Sequence, residues 1–81
     1  MSSVELTEIL KWARKQPFVP FTLTLTSGTE IAVDHAEEIF FLPSPERISH
    51  IEVFSRNDFH VFGPPAVVAI TATRKSYEQL S

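Results

Sequence analysis

The 81-residue chain predicts one small α+β domain: an N-terminal helix followed by a strongly bent, mostly antiparallel five-stranded sheet or open barrel. Three observations predict it. An apolar stripe at helical spacing opens the chain, the hydrophobic period changes to two at Phe21, and Gly, Pro and Asn then divide the remainder into short strands.

Leu6, Ile9, Leu10 and Ala13 recur at i, i+3, i+4 and i+7, which places them on one face of a helix over about residues 3–15. Ser2 and Glu5 have the spacing of a capping box. Lys11, Arg14 and Lys15 crowd the far end, where the helix dipole favours cations. Pro17 then stops the helix, because proline disfavours helical geometry at Gln16. Pro17 and Pro20 stiffen an aromatic connector.

From residue 21, Phe21, Leu23 and Leu25 alternate with three threonines, and Thr29, Ile31 and Val33 alternate with Glu30, Ala32 and Asp34. A two-residue loop at Ser27 and Gly28 would oppose the apolar face of one strand with the polar face of the other. A three-residue loop, Thr26-Ser27-Gly28, instead sets Leu23 opposite Ile31 and Phe21 opposite Val33, with Gly28 in the left-handed position. Residues 35–38 form a bend. Residues 39–42 are continuously apolar, as expected of a strand covered on both faces, and Pro43-Ser44-Pro45-Glu46 closes it with a rigid turn. Residues 48–55 make the next strand. A two-residue turn at Asn57 and Asp58 places Phe54 opposite Val61 and Val53 opposite Phe62, with 59–62 the following strand. Gly63-Pro64-Pro65 breaks it, residues 67–72 form the last strand, and residues 73–81 are a loose polar tail.

At this length there is one domain, residues 1–81, and one core, which buries only about 60% of the surface the unfolded chain exposes. Small domains supplement such a core with disulfides, metal or self-association. Cysteine is absent, which excludes disulfides and thiolate zinc sites and suits a reducing, cytoplasmic setting. Net charge is −3 with the signs interspersed, so the basic stripe of a duplex-DNA binder is missing. No apolar run approaches a membrane span or a secretory signal.

The segment Gln16-Pro17-Phe18-Val19-Pro20-Phe21-Thr22-Leu23, then Ser27-Gly28, then Val33-Asp34-His35-Ala36-Glu37, resembles a family of uncharacterised small bacterial proteins. Their pattern runs Gln-Pro-Phe-x-Pro-Phe, an alternating strand, Asp-Gly and Val-x-His-Pro-Glu. Ser27 stands here for the Asp and Ala36 for the Pro. The resemblance implies no activity. The element order also resembles the Sm-like (SH3-like) fold, which implies a ring-forming domain. Sm-like RNA-binding bacterial proteins carry a Lys-His pair near the position of Gly63-Pro64-Pro65, and this chain lacks it.

Several groups invite a chemical reading. His35-x-x-Glu38 has a helical spacing, and His50 and His60 lie on separate strands, so a metal site needs the fold to gather them. Ser49 or Ser55, His50 or His60, and Asp58 form nominal triads, without the Gly-x-Ser-x-Gly elbow that presents a nucleophile. Adjacent Glu37 and Glu38 point to opposite faces of an extended chain and read as a solvated bend. Phe54-Ser55-Arg56-Asn57-Asp58-Phe59-His60 mixes aromatics with one cation, as single-strand nucleic-acid binders do, but reads as a hairpin with core phenylalanines. Trp12, Phe18 and Phe21 seal the helix onto the sheet.

This pattern assigns no catalytic, metal-binding or cofactor-binding residue. It predicts a non-enzymatic interaction or assembly module, self-associating through an apolar strand edge at residues 59–62 or 67–72. An Sm-like ring binding RNA is the alternative, and a small histidine-dependent hydrolase or metal-binding protein a weaker one.

Overall fold

A computed structural model describes residues 4–73 of the chain. Helix α1 spans Leu6–Ala13. It is followed by β1 (Phe21–Leu25), β2 (Glu30–Val33), a 3-10 turn at Ala36–Glu38, β3 (Ile39–Ser44), β4 (Arg47–Ser55), β5 (Asp58–Phe62), a second 3-10 turn at Pro64–Ala66 and β6 (Val67–Ala72). The small α+β class holds. The single five-stranded sheet does not, because the strands form two three-stranded antiparallel sheets, ordered β2-β1-β6 and β3-β4-β5. The split falls at residues 34–38. There the 3-10 turn interrupts one run of extended chain, so that β2 ends the first sheet and β3 begins the second.

The helix is shorter than the apolar stripe suggests. Its N-cap is Glu5, whose side chain makes no capping bond, and Ser2 of the expected capping box lies outside the described residues. So does the expected polar tail, apart from Thr73. Eight residues are too few for a helix to be stable alone, and packing holds this one. Ile9 is fully buried, and Trp12 stacks at a tilt on Phe21, with ring centroids 5.7 Å apart. Phe18 also meets the Phe21 ring at a tilt, with centroids 5.8 Å apart.

The first hairpin has the register that its alternation requires, with Phe21 opposite Val33 and Leu23 opposite Ile31. Gly28 sits at φ +93°, the left-handed conformation that a side chain resists. In the second sheet three expectations are corrected. β3 runs on through Pro43 to Ser44, leaving a tight turn at Pro45 and Glu46. It is also not covered on both faces, since Phe40 is 46% exposed. The β4–β5 turn uses Arg56 and Asn57, both at positive φ (53° and 67°), rather than Asn57 and Asp58. That sets Phe54 opposite Phe59 and Val53 opposite His60.

The core lies between the sheets. Phe21, Leu23, Ile31, Val33 and Val67 enter from the first sheet, and Ile39, Ile51, Val53 and Phe62 from the second. With Ile9 these side chains are nearly or wholly removed from water, each worth about 1.5–3 kcal/mol of burial. Among the described residues no helix is long and apolar enough to cross a membrane.

Candidate functional site

Two three-stranded sheets leave four edge strands, β2, β6, β3 and β5. An open edge presents unpaired backbone groups, and natural edges are blunted by charge, proline, bulges or shortness. β2 is four residues long and begins with Glu30. β3 contains Pro43. β6 pairs irregularly with β1 near Leu25, and its Val67 carbonyl already accepts the Val4 N–H at 2.8 Å. β5 has five residues without proline, lysine or arginine, and its one carboxylate, Asp58, sits at the turn.

β5 is also where the apolar surface gathers. Phe59 and Val61 are 58% and 55% exposed. Glu52 of β4 is flanked by Val61 on one side and Phe40 on the other, and Phe54 stands opposite Phe59. The register therefore puts Phe40, Phe54, Phe59 and Val61 on the outer face of the second sheet. The Phe54 and Phe59 rings meet at a tilt, centroids 6.4 Å apart. These phenylalanines were expected in the core; only the side chains on the opposite face of β4 and β5 reach it.

The turn that carries β5 is pinned to the first sheet. Arg56 donates from Nε to Asp34 Oδ2 at 2.7 Å and from Nη2 to Oδ1 at 2.9 Å, a two-pronged ion pair between residues 22 apart in sequence. Ser55, the one buried polar residue among those described, donates to the same carboxylate at 3.5 Å. The Arg56 bonds hold the Asp34 carboxyl below its ordinary 3.8, against a smaller opposing effect of burial. Arg56 is thus occupied by a carboxylate and is not free for phosphate. Glu38 completes the corner. One oxygen accepts the backbone N–H groups of Asp34 (2.9 Å) and His35 (3.2 Å), and the other meets His35 Nδ1 at 3.1 Å. Burial pushes the Glu38 carboxyl up, but these bonds together outweigh it and lower it; the same Glu38 bond raises His35. Glu38 is a turn-closing acceptor, not the solvated residue its position in a bend suggests.

The nominal catalytic groups are only partly assembled. Ser49 Oγ and His50 Nδ1 are 3.1 Å apart, and His50 Nε2 lies 3.4 Å from Glu52 Oε2. The pairing shift between Leu42 and Pro43 makes Ser49 an extra residue on β4, and such a bulge swings a side chain beside its neighbour's. The resulting hydroxyl–imidazole–carboxylate chain lies on an exposed strand surface. The nearby depression of about 370 Å³, lined by Pro43, Arg47, Ile48 and Ser49, is wide open to solvent. Asp58 takes no part, and Ser55 is bound to Asp34. The histidines stay apart. His60 stands opposite Val53, on the core side, whereas His50 shares the outer face with Glu52. Among the described residues no three His, Asp or Glu side chains gather in a way that holds a metal. In comparisons with known proteins, no family model, no curated protein and no solved structure matches the chain.

Sequence reasoning missed the fork between Arg56 and Asp34, which no local pattern encodes. It also missed that Phe40 and Phe54 face outward. The second had a signal: Phe40 and Phe54 both alternate with the buried positions Ile39 and Val53.

Proposed function

We propose that the protein is a non-catalytic assembly module that associates with itself through the free edge of β5. One observation carries this reading. The least blunted edge of the fold is also the strand whose exposed side chains, Phe59 and Val61, are apolar. Pairing at this edge satisfies backbone groups that water otherwise serves and gives Phe59 and Val61 cross-strand neighbours, the usual logic of strand addition. The thin core of so small a domain supplies the incentive.

The test is the native mass by light scattering behind size exclusion, measured over a concentration series. The wild type is expected to grow beyond a monomer as concentration rises. Val61→Lys places a charge on the edge, as natural proteins do to prevent pairing, and should stay monomeric. Because Val61 is more than half exposed, its stability should change by no more than about 0.5 kcal/mol. A wild type that remains monomeric at its solubility limit refutes the reading.

A further inference from the structure

The backbone of β5 restricts how a second copy can pair with it. The β4–β5 hairpin has a two-residue loop, with Ser55 opposite Asp58. In such a hairpin the closing pair exchanges hydrogen bonds, and bonded and non-bonded pairs then alternate. The backbone groups of Asp58, His60 and Phe62 therefore point toward β4. Those of Phe59 and Val61 point outward to the free edge. These are the same two residues whose side chains are exposed on the outer face.

We infer that β5 pairs antiparallel with β5 of a second copy about a twofold axis at His60, so that Phe59 of each chain lies opposite Val61 of the other. This inference rests on the self-association reading above and specifies its partner and register. Four features of the strand lead to it. Outward-pointing residues must oppose outward-pointing residues, which leaves only axes at Phe59, His60 or Val61. Of these, the axis at His60 alone overlaps all five residues of the strand. It also makes an aromatic–β-branched cross-strand pair twice, a favourable combination, where the alternatives leave one residue without its complement. Finally, Gly63 and Pro64 end the strand just past Phe62, so pairing cannot extend to favour a shifted register. The twofold arrangement is the commonest closed symmetry of soluble oligomers. Head-to-tail pairing of β5 with β6 of the next copy meets an edge already bulged and already bonded to Val4.

The absence of cysteine from the chain makes the register directly readable. At an axis on a non-bonded pair the two His60 Cα atoms lie about 4.5 Å apart, within disulfide reach. The two Phe59 positions, and likewise the two Val61 positions, are then offset by two residues and lie about 8 Å apart, beyond reach. His60→Cys, Phe59→Cys and Val61→Cys are oxidised separately with copper–phenanthroline, each thiol pair losing two electrons and two protons to the oxidant. Ser27→Cys, at the exposed tip of the first hairpin, serves as the collision control, and melting curves confirm that each variant is folded. The expected result is that His60→Cys gives a disulfide dimer at least about tenfold faster than Ser27→Cys, the advantage of a held pair over chance encounter. Phe59→Cys and Val61→Cys alone should match the control, and their mixture should yield the mixed dimer. A fast homodimer from Phe59→Cys or Val61→Cys overturns the register. Control-level rates for all three, with a native mass above the monomer, overturn β5–β5 pairing but leave self-association standing. Control-level rates with a monomeric mass overturn both.

Discussion

Replacing Asp34 by Asn should destabilise the fold only where the carboxylate is ionised, and only modestly. The fork to Arg56 is short and two-pronged, at 2.7 and 2.9 Å, the geometry in which an arginine–carboxylate pair is strongest. However, the Arg56 side chain is 50% exposed and that of Asp34 25%, so water screens the pair and solvates Arg56 once its partner is neutral. The large penalty for stranding a buried charge does not apply. The surface value does, about 0.5–1 kcal/mol. For a domain of this size that is a fall of about 2–8 °C in melting temperature at neutral pH. The sign of the pH dependence follows from the lowered Asp34 carboxyl. Its stabilisation is complete above the unfolded value of 3.8 and disappears as pH falls through the lower folded value. Melting curves of wild type and Asp34→Asn, taken from pH 7 downward, should therefore converge well below pH 3.8. A gap that persists unchanged to the lowest pH, or no gap at pH 7, refutes the electrostatic account of this fork.

Two further predictions concern the scaffold itself. Leu23 is fully buried between the sheets, so Leu23→Ala should cost about 2–5 kcal/mol in chemical denaturation, a large part of the few kcal/mol that so small a domain has. Asn57 sits at φ 67° in the β4–β5 turn, where glycine is unstrained, so Asn57→Gly should raise the unfolding free energy from chemical denaturation by up to about 1 kcal/mol, provided Arg56 keeps its fork.

The first hairpin was legible because two independent signals agree there. The alternation of Phe21, Leu23, Ile31 and Val33 admits one face pairing, and Gly28 supplies the left-handed residue that the loop requires. The second hairpin was not legible, for a reason inherent in the strand period. Moving the turn from Asn57 and Asp58 to Arg56 and Asn57 shifts the register by two, which leaves every side chain on its own face. Apolar patterning is blind to such a shift. What favours the observed turn is an arginine at positive φ, held by a carboxylate 22 residues away. The division into two sheets was hidden similarly. His35-Ala36-Glu37-Glu38 reads as a bend, but whether a strand continues past a bend depends on what Glu38 bonds, here the N–H groups of Asp34 and His35. The contact of Ser49 with His50 depends on a bulge, and a bulge is a property of pairing that one strand's sequence does not display.

The corner at residues 34–38 has a mechanical consequence. The chain crosses between the sheets there and again at residues 63–66, and both crossings are short and built on 3-10 turns. The first joins β2 to β3 and the second β5 to β6, opposite edges of each sheet, so the pair is stitched along both sides rather than hinged along one. The ionic fork between Arg56 and Asp34 ties the β4–β5 turn to the first of these joints. Without that tie, as in Asp34→Asn, the amides of the β4–β5 turn should exchange faster while those of the β1–β2 pairing keep their rate, a difference that native-state hydrogen exchange resolves.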